Sequence, residues 1–570
     1  MSGAAAARVA AAYRRIAETD RPEAWIHLRP QAHVEREAAA IDARVDAGEQ
    51  LPLAGTVFAV KDNIDVAGLP TTAACAPFAY TPAESSPAVA RLVAAGALAL
   101  GKTNLDQFAT GLVGTRSPYG AVRGALLPER ISGGSSSGSA VVVALGIADF
   151  ALGTDTAGSG RVPAMFNGIV GVKPTVGLIP TLGVVAACRS YDCVSVFAPT
   201  LAEAQLPLRT IIGPDPADHR SRGWPLDVPL AAPAAPVIAI PDDAGLAPLS
   251  ADAAAAFTAA TRRLEQAGAA ITTVDISPLL EAARLLYEGA LVAERYEAFG
   301  AFLEEHPEAA DPTVLSIVRR AREVAGADVI RDQDRVLAYR LGAARLFDGI
   351  DALLVPTTTD HPDFAEVAAD PIGVNSRLGT YTNFVNLLDL CAVSVPAGEA
   401  DGGPFGVTVI APAFHDQPAA DIASHLLGSP DADGGPALPA GIPLVVFGAH
   451  LRGLPLNGQL TALGARFVRE VRTAPRYRMH ALPGEPARPA VRIATAGELG
   501  VALVGEEWLL SPAALGRLTA LLTWPMTLGP VELEDGTFAT GFGASEALGP
   551  DVSAHGGWRA YLAASRELVP

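Results

Sequence analysis

The chain has 570 residues, of which half are hydrophobic, and this predicts a folded protein with more than one domain. Its formal net charge is −19 and it has no block of five basic residues, so neither nucleic acid nor a membrane surface is expected as a partner. The four cysteines form no CxxC pair and the histidines lack metal-ligand spacing, so we predict no disulfide scaffold, no metal and no cofactor.

The N-terminal twenty residues are rich in alanine but interrupted by arginines, which predicts an amphipathic helix and not a signal peptide. No run of eighteen residues is free of charged side chains, polar side chains and glycine, so no membrane-spanning segment is predicted. A cytoplasmic location is expected.

Short apolar, β-branched runs alternate with helical patterns along most of the chain. Strands are predicted at 56–60, 97–101, 149–153, 237–240, 271–276, 351–356 and 405–412. Helices are predicted at 35–48, 87–95, 138–147, 250–267, 279–303 and 328–347. This alternation predicts a layered α/β domain with a mostly buried sheet.

Around 428–442 the pattern loses its periodicity and collects Gly, Pro and Asp, which is typical of a linker or exposed loop. Short strands, turns and a closing helix follow. We therefore predict a first domain at 1–430, a linker at 431–442 and a smaller C-terminal α+β domain at 443–570.

Only three of the 42 basic residues are lysines, namely Lys61, Lys102 and Lys173. A buried lysine can give up its proton, whereas arginine in a protein cannot. At least one of the three is therefore predicted to act as a base, with a packed lysine stem as the alternative.

The loop "GGSSSGSA" at 133–140 offers several hydroxyl groups at the start of a predicted helix, where Ser135 to Ser137 are natural N-caps. A phosphate loop is not indicated, because Ser139 stands where its lysine belongs. The letters GxSxG place Ser136 at the centre of a nucleophile elbow, but no apolar strand leads into it. An esterase built on Ser136 stays open as an alternative.

A further serine, Ser159, follows a predicted strand in the small-residue turn "TDTAGSGR". The N–H groups of this turn could stabilise an oxyanion, and the candidates are Thr156, Ala157, Gly158 and Ser159. Lys61 ends an apolar strand, where loss of water would lower the pKa of its ammonium. Lys61, Ser135 and Ser159 could thus form a proton relay without histidine.

The segments "AVKDNI", "GKTNLDQFA", "GGSSSGSA", "GTDTAGSGRVPA" and "GIVGVKPTVG" resemble the amidase signature family over roughly residues 1–430. The resemblance implies a large mixed β-sheet core covered by helices, and an acyl-enzyme mechanism. It also implies a Ser, cis-Ser, Lys triad, with Ser159 as nucleophile, Ser135 as bridging serine and Lys61 as base. The usual "TGGSIR" is "TAGSGR" here, which is a departure from the family pattern.

Further segments, among them "LYEGALVAERYEAF" and "NSRLGTYTNFVNLLDL", are similar to the allophanate hydrolases within that family. This implies hydrolysis of allophanate (urea-1-carboxylate) to ammonia and N-carboxycarbamate, which then decarboxylates to CO2 and ammonia. It also implies that Tyr287 and Arg295 bind the substrate. On the predicted helix 279–303 they share one face, and Arg295 could grip a carboxylate. The alternative is a surface arginine paired with Glu294 or Glu297. Arg377 and Asn383 are further candidates for the pocket.

The C-terminal segment resembles the γ-glutamylcyclotransferase-type domain of allophanate hydrolases, which implies a role in decarboxylation or in assembly. The candidate residues are Asn457 and Gly458 in a predicted turn, Glu506 and His555, and structural roles explain each of them equally well.

The resemblance further implies a homodimer, and association with urea carboxylase or other enzymes of urea or s-triazine breakdown. Two alternatives stay open: an amidase for another small carboxylated amide, and a catalytically silent scaffold.

Overall fold

A computed structural model describes residues 3–428, 438–546 and 548–567. The chain divides into two compact units, of which the first holds residues 3–224 and 235–428 and the second residues 225–234 and 438–567. The short segment 225–234 is tied to the second unit, where Leu230 N–H donates to Gly464 O at 2.8 Å. Nothing in the sequence signals this insertion. Of the predicted linker, residues 431–437 lie outside the described part of the chain.

The first unit contains eleven strands. They are β1 (Trp25–Leu28), β2 (Val57–Lys61), β3 (Leu98–Thr103), β4 (Phe150–Asp155), β5 (Val170–Lys173), β6 (Cys193–Ala198), β7 (Val237–Pro241), β8 (Ala270–Val274), β9 (Ala352–Pro356), β10 (Leu390–Ala400) and β11 (Gly403–Pro412). They form one mixed sheet in the order β1-β3-β2-β4-β6-β5-β10-β11-β9-β7-β8, with β2 parallel to both β3 and β4. Every residue of β2, β3, β4 and β6 is buried, because helices and loops cover both faces.

The helices of the first unit are α1 (Ala4–Thr19), α2 (Gln31–Asp46), α3 (Pro87–Ala94), α4 (Ser137–Ala144), α5 (Val162–Phe166), α6 (Leu201–Ile211), α7 (Asp243–Leu246), α8 (Ala251–Gln266), α9 (Ser277–Arg284), α10 (Ala293–Arg295), α11 (Ala301–Glu305), α12 (Pro312–Arg319), α13 (Gly326–Leu346), α14 (Phe364–Ala369), α15 (Gly373–Leu378), α16 (Phe384–Leu387) and α17 (Asp416–Leu426). Short 3₁₀ turns lie at Pro22–Ala24, Ala76–Phe78, Gln107–Ala109, Ala290–Val292, Pro307–Ala309 and Arg320–Glu323. The N-terminal amphipathic helix is confirmed: α1 buries Ala5, Val9 and Ala12 in the same core cluster as three residues of α2.

The continuous helix predicted at 279–303 is wrong. Helix α9 ends at Arg284, a turn follows, and the helical chain resumes as α10, a π-helical turn at Tyr296–Gly300 and α11. The break coincides with a close approach of α13, since a Cβ on Gly289 would lie 2.6 Å from Asp332 Oδ2. The same carboxylate accepts a hydrogen bond from Ala290 N–H at 2.7 Å.

The second unit contains β12 (Ile442–Val446), β13 (Arg466–Arg472), β14 (Tyr477–Leu482), β15 (Arg488–Ile493), β16 (Val504–Leu510), β17 (Met526–Glu532), β18 (Phe538–Ala544), α18 (Asn457–Thr461), α19 (Pro512–Ala520), α20 (Trp558–Glu567) and a 3₁₀ turn at Ser553–His555. Five strands form a sheet in the order β13-β16-β12-β18-β17, and β14 pairs with β15. The prediction of a large mixed sheet with a smaller α+β domain is confirmed. No helix in the described ranges is long and apolar enough to cross a membrane.

Candidate active site

Lys61 lies at the end of β2, and its side chain is completely buried. Its Nζ donates hydrogen bonds to Ser135 Oγ and to Thr154 Oγ1, each at 2.7 Å. Burial lowers the pKa of Lys61 to about 7, although nearby carboxylates act in the opposite direction. Those carboxylates belong to Asp106, Asp192 and Asp155. A substantial fraction of Lys61 is therefore the free amine at neutral pH.

Ser135 lies in a loop that is held in place by Asp106. The peptide bond between Gly134 and Ser135 is cis. A Cβ on Gly134 would lie 2.1 Å from Asp106 Oδ2, so only glycine fits there. The backbone N–H of Asp106 donates to Ser135 O at 3.1 Å, and its carboxylate accepts hydrogen bonds from the N–H groups of Gly114 and Arg116.

The Ser136 hydroxyl is hydrogen-bonded to the backbone of β4. It donates to Thr154 O at 3.1 Å and accepts from Thr154 N–H at 3.3 Å. Two other hydroxyls of the loop are also bound to backbone carbonyls, since Ser137 donates to Asn104 O and Ser139 to Leu152 O. Ser135 is the loop serine that accepts from Lys61.

Ser159 lies in the turn between β4 and α5, and the Asp155 carboxylate holds this turn together. Asp155 accepts from the N–H groups of Gly158 at 2.9 Å and Gly160 at 3.0 Å. Arg161, which is fully buried, binds both oxygens of the same carboxylate at 2.9 Å. This bidentate ion pair fixes the backbone around Ser159.

The predicted oxyanion donors are only partly available. The Gly158 N–H is taken by Asp155, which corrects its predicted role. Within the described residues, the N–H groups of Thr156, Ala157 and Ser159 have no acceptor. Three N–H donors in one turn are therefore free to meet a developing negative charge.

Residues 111–112, called the strap below, contact both the loop that contains Ser135 and the turn that contains Ser159. Ser159 Oγ lies 3.5 Å from Gly111 O, and Leu112 O accepts from Gly134 N–H at 2.9 Å. Asn375 Oδ1 holds the strap by accepting from Leu112 N–H at 2.7 Å. Sequence reasoning missed Asn375, because no local pattern distinguishes it from other buried amides.

The structure brings Tyr287 and Arg295 together, although through a turn instead of along one helix. The guanidinium carbon of Arg295 lies 4.5 Å from the centre of the Tyr287 ring. Arg295 is fully buried, and its Nη1 donates to Leu286 O at 3.2 Å. In the part of the chain that the structure describes, its Nε and Nη2 have no hydrogen-bond partner.

The surface ion pair that was the alternative for Arg295 is absent from the described residues. Glu294 accepts from Ser190 N–H at 2.8 Å, and Glu297 lies 3.8 Å from Arg189. Among the described residues, no carboxylate therefore lies within ion-pair distance of the buried Arg295 guanidinium, although Asp192 is near enough for its pKa to be affected by it.

Arg295 and the turn that contains Ser159 lie beside the same buried cluster of side chains. Tyr287 packs against a buried cluster that includes Ala157 and Leu286. Asp192 accepts from Thr156 Oγ1 at 2.5 Å; burial raises the pKa of Asp192, and the Arg295 guanidinium opposes that rise. The buried cation and the free N–H groups of the turn thus lie around the same buried cluster.

The two remaining pocket candidates differ in their contacts. Arg377 forms an ion pair with Asp360 at 2.8 Å and its side chain is 38% exposed, so its place in the pocket stays a prediction. Asn383 packs against Gly379, and its Oδ1 is buried without a partner among the described residues. The neighbouring Thr382, which sequence reasoning missed, donates to Ala157 O at 2.7 Å.

In the second unit, Asn457 and Gly458 begin helix α18 instead of forming a turn, and Asn457 Nδ2 donates to His450 O at 3.0 Å. Glu506 and His555 line one cavity of about 260 Å³. Both oxygens of Glu506 are engaged: Oε1 accepts from Arg559 at 2.9 Å and Oε2 from Arg452 N–H at 2.9 Å.

A second cavity of about 280 Å³ in this unit is lined by His450, Gln459, Arg488 and Phe542 among others. His450 Nε2 lies 3.0 Å from Gln459 Oε1, and its ring stacks on Phe542. Burial lowers the pKa of His450, so a neutral imidazole faces this cavity beside an arginine. No group of residues in the described ranges could hold a metal ion.

Comparison with known proteins agrees with this geometry. The site combines a buried lysine, a serine after a cis peptide bond and a serine in a turn lined by N–H groups. Residues 7–418 match the family model described as Amidase. The chain belongs to the amidase family. Residues 442–563 match the model described as the allophanate hydrolase C-terminal domain.

Three relatives of this amidase illustrate the range of the match. Urea amidolyase of Saccharomyces cerevisiae is 41% identical over 577 residues, which cover 95% of this chain but 31% of the relative, so the chain spans about a third of that protein. The structure of Kluyveromyces lactis allophanate hydrolase superposes with a TM-score of 0.87 at 38% identity, covering 98% of this chain and 97% of the other. The 2-amino-5-chloromuconic acid deaminase of Comamonas testosteroni is 34% identical over 389 residues, covering 66% of this chain and 82% of its own. The predicted family is confirmed.

Proposed function

We propose that this amidase hydrolyses allophanate to ammonia and N-carboxycarbamate. The observation that carries the substrate class is Arg295, a fully buried guanidinium with two unpartnered nitrogens in the described structure. A buried charge without a partner is costly, and a guanidinium binds a carboxylate through two parallel hydrogen bonds. Allophanate is a small amide with a carboxylate. The similarity to K. lactis allophanate hydrolase over nearly the whole chain supports this choice.

In the proposed reaction, Ser159 Oγ attacks the carbon of the terminal amide. Its proton moves to Ser135, whose own proton moves to the free amine of Lys61. The free N–H groups of the turn stabilise the oxyanion. Lys61 then returns a proton through Ser135 to the amide nitrogen, the C–N bond breaks, and ammonia leaves an acyl-enzyme on Ser159.

Water then attacks the acyl-enzyme by the same route in reverse. It gives one proton to the Ser135–Lys61 pair, its oxygen bonds to the acyl carbon, and the ester bond to Ser159 breaks. The proton returns to Ser159 Oγ, and N-carboxycarbamate leaves. This product takes up protons and breaks down to two molecules of CO2 and one of ammonia.

The second unit is proposed to promote that decarboxylation. Of the two cavities described above, the one beside His450 and Arg488 fits a small dianion better, because Glu506 in the other is already engaged by protein groups. We expect the His450→Ala variant to release the ammonia of the amide step at the normal rate and to release CO2 more slowly. The same change at His555 should leave both rates unaltered, and the reverse pattern would place the activity in the Glu506 cavity.

Two alternatives are tested by the same assay. A silent scaffold is disfavoured by the hydrogen bond between Lys61 and Ser135 at 2.7 Å. Another carboxylated amide stays open, so ammonia release should be measured with allophanate, malonamate, biuret and urea. We expect rapid turnover of allophanate and little of urea, which offers Arg295 no anion. Equal activity on uncharged amides would exclude the proposed substrate.

A supply of allophanate implies a partner that makes it. The curated urea amidolyases are about three times as long as their matched region. We therefore propose association with urea carboxylase or another allophanate-producing enzyme, and a homodimer, both to be measured by light scattering after size-exclusion chromatography. No nucleic-acid or membrane partner is proposed.

A further inference from the structure

Two of the three lysines take no part in the proposed proton relay, and one of them, Lys102, lies beside the residue that follows the base. Lys102 is on β3, next to β2, in the register that pairs Val60 with Lys102 and Lys61 with Thr103. Successive side chains of a strand point to opposite faces of the sheet. Lys61 therefore points to one face, and Lys102 points to the other.

Lys102 forms an ion pair with Asp62, and both side chains are completely buried, with Lys102 Nζ 3.2 Å from Asp62 Oδ1. The ammonium also donates to Thr71 Oγ1 at 3.0 Å and Pro70 O at 3.2 Å. The second carboxylate oxygen accepts from Thr72 N–H at 2.9 Å. These contacts surround a single compact ammonium, and a planar guanidinium would present its donors in a different geometry.

Asp62 follows Lys61 directly in the chain. A buried carboxylate without compensation would favour protonation of a nearby amine. Lys61 already faces three buried carboxylates that carry their own hydrogen-bond donors, Asp106 after β3, Asp155 at the end of β4 and Asp192 before β6. On the other side of the sheet, the charged or titratable groups around the ion pair are Asp65, Tyr80 and Tyr119.

We propose that Lys102 is a positioning residue that compensates the buried charge of Asp62, so that Lys61, one residue away, stays unprotonated as the base. This inference rests on the proposed role of Lys61. It also accounts for a second lysine in a chain whose basic residues are nearly all arginine.

The test uses the rate at which phenylmethanesulfonyl fluoride inactivates the full-length protein as a function of pH, followed by intact mass. In this step a bond forms between Ser159 Oγ and sulfur, fluoride leaves, and the serine proton passes to Lys61. The readout needs no natural substrate, so it is separate from the failure of allophanate as substrate, which the ammonia assay reports.

We expect Lys102→Met to move the midpoint of this pH profile upward by about one unit, because the Asp62 charge is then uncompensated. The double variant Lys102→Met with Asp62→Asn should return the midpoint to within about 0.3 units of the original. Thr71→Val is the matched control, since it removes a hydrogen bond from the same network without changing charge, and it should leave the midpoint in place.

Lys102→Arg covers the case in which Lys102→Met does not fold. It keeps the charge but not the shape, so we expect an unchanged midpoint even where the labelling rate falls. A one-unit shift in Lys102→Arg or Thr71→Val would overturn the proposal, as would a Lys102→Met midpoint equal to the original. Each of these three results would leave the ion pair between Lys102 and Asp62 with a purely structural role.

Discussion

Ser135 accepts a hydrogen bond from Lys61 at 2.7 Å, and both side chains are completely buried. A lysine in this setting loses the hydration that stabilises its charged form, and its pKa falls to about 7. The proposed base and the proposed bridging serine are thus in direct contact.

The first prediction concerns the base itself. Lys61→Arg should lower kcat by about a thousandfold or more, because a guanidinium stays protonated and cannot accept a proton from Ser135. The measurement is steady-state ammonia release, with circular dichroism to show that the variant is folded. Normal turnover in a folded Lys61→Arg would contradict the mechanism.

The second prediction separates two serines that lie in different small-residue segments of the chain. Ser159→Ala should reduce ammonia release to background, whereas Ser136→Ala should keep kcat within about tenfold. Loss of the Ser136 hydroxyl leaves two backbone groups of Thr154 with a missing partner, which should cost about 1–3 kcal/mol of unfolding free energy. The opposite pattern of activity would support the esterase alternative.

The third prediction is the pH dependence. Lys61 works as the free amine, so kcat/KM should rise with pH through about 7 and fall roughly tenfold per unit below it. Stopped assays from about pH 3 to 9, in overlapping buffers at constant ionic strength, would show this limb. A limb near pH 4 would instead indicate a carboxylate base.

The fourth prediction compares two arginines. Arg295→Ala should lower kcat/KM for allophanate by about a hundredfold or more, because the substrate carboxylate loses its buried partner. Arg377→Ala is the matched control, since Arg377 is already paired with Asp360, and its kcat/KM should change less than about threefold. Equal losses in the two variants would remove Arg295 as the specific anion contact.

The fifth prediction concerns the strap between the two serine loops. Asn375→Ala removes the acceptor for Leu112 N–H and should cost about 1–3 kcal/mol of unfolding free energy. It should also lower kcat more than it raises KM, since the strap contacts Ser159 and the Ser135 loop. Asn375→Asp keeps an acceptor oxygen and should retain more activity than Asn375→Ala.

Most of the sheet could be predicted from the sequence, because its parallel strands are short, continuous and mostly apolar runs. Each of the seven predicted strands of the first unit lies on a strand of the structure. The four strands that were missed are β1, β5, β6 and β10; β1 and β5 have only four residues each, and β6 and β10 carry the buried Ser195 and Ser394. The break in helix 279–303 was missed because it depends on the approach of Asp332 from α13.

The candidate site shows the same division. The triad positions come from motifs that are contiguous in sequence. Asn375 and Thr382 reach the serine loops from 263 and 225 residues away from their partners, Leu112 and Ala157. Such contacts are set by how the sheet folds back on itself, and no local pattern encodes them.

The assignment of residues 225–234 to the second unit means that the polypeptide passes from one unit to the other three times. Leu230 in this segment is fully buried and hydrogen-bonded to Gly464. If the chain were cut once near residue 430, the N-terminal fragment would keep the segment 225–234 with Leu230 exposed to solvent. The C-terminal fragment would lose that segment from its core. One family match ends at residue 418 and the other begins at residue 442, but a single cut between them does not separate the two units.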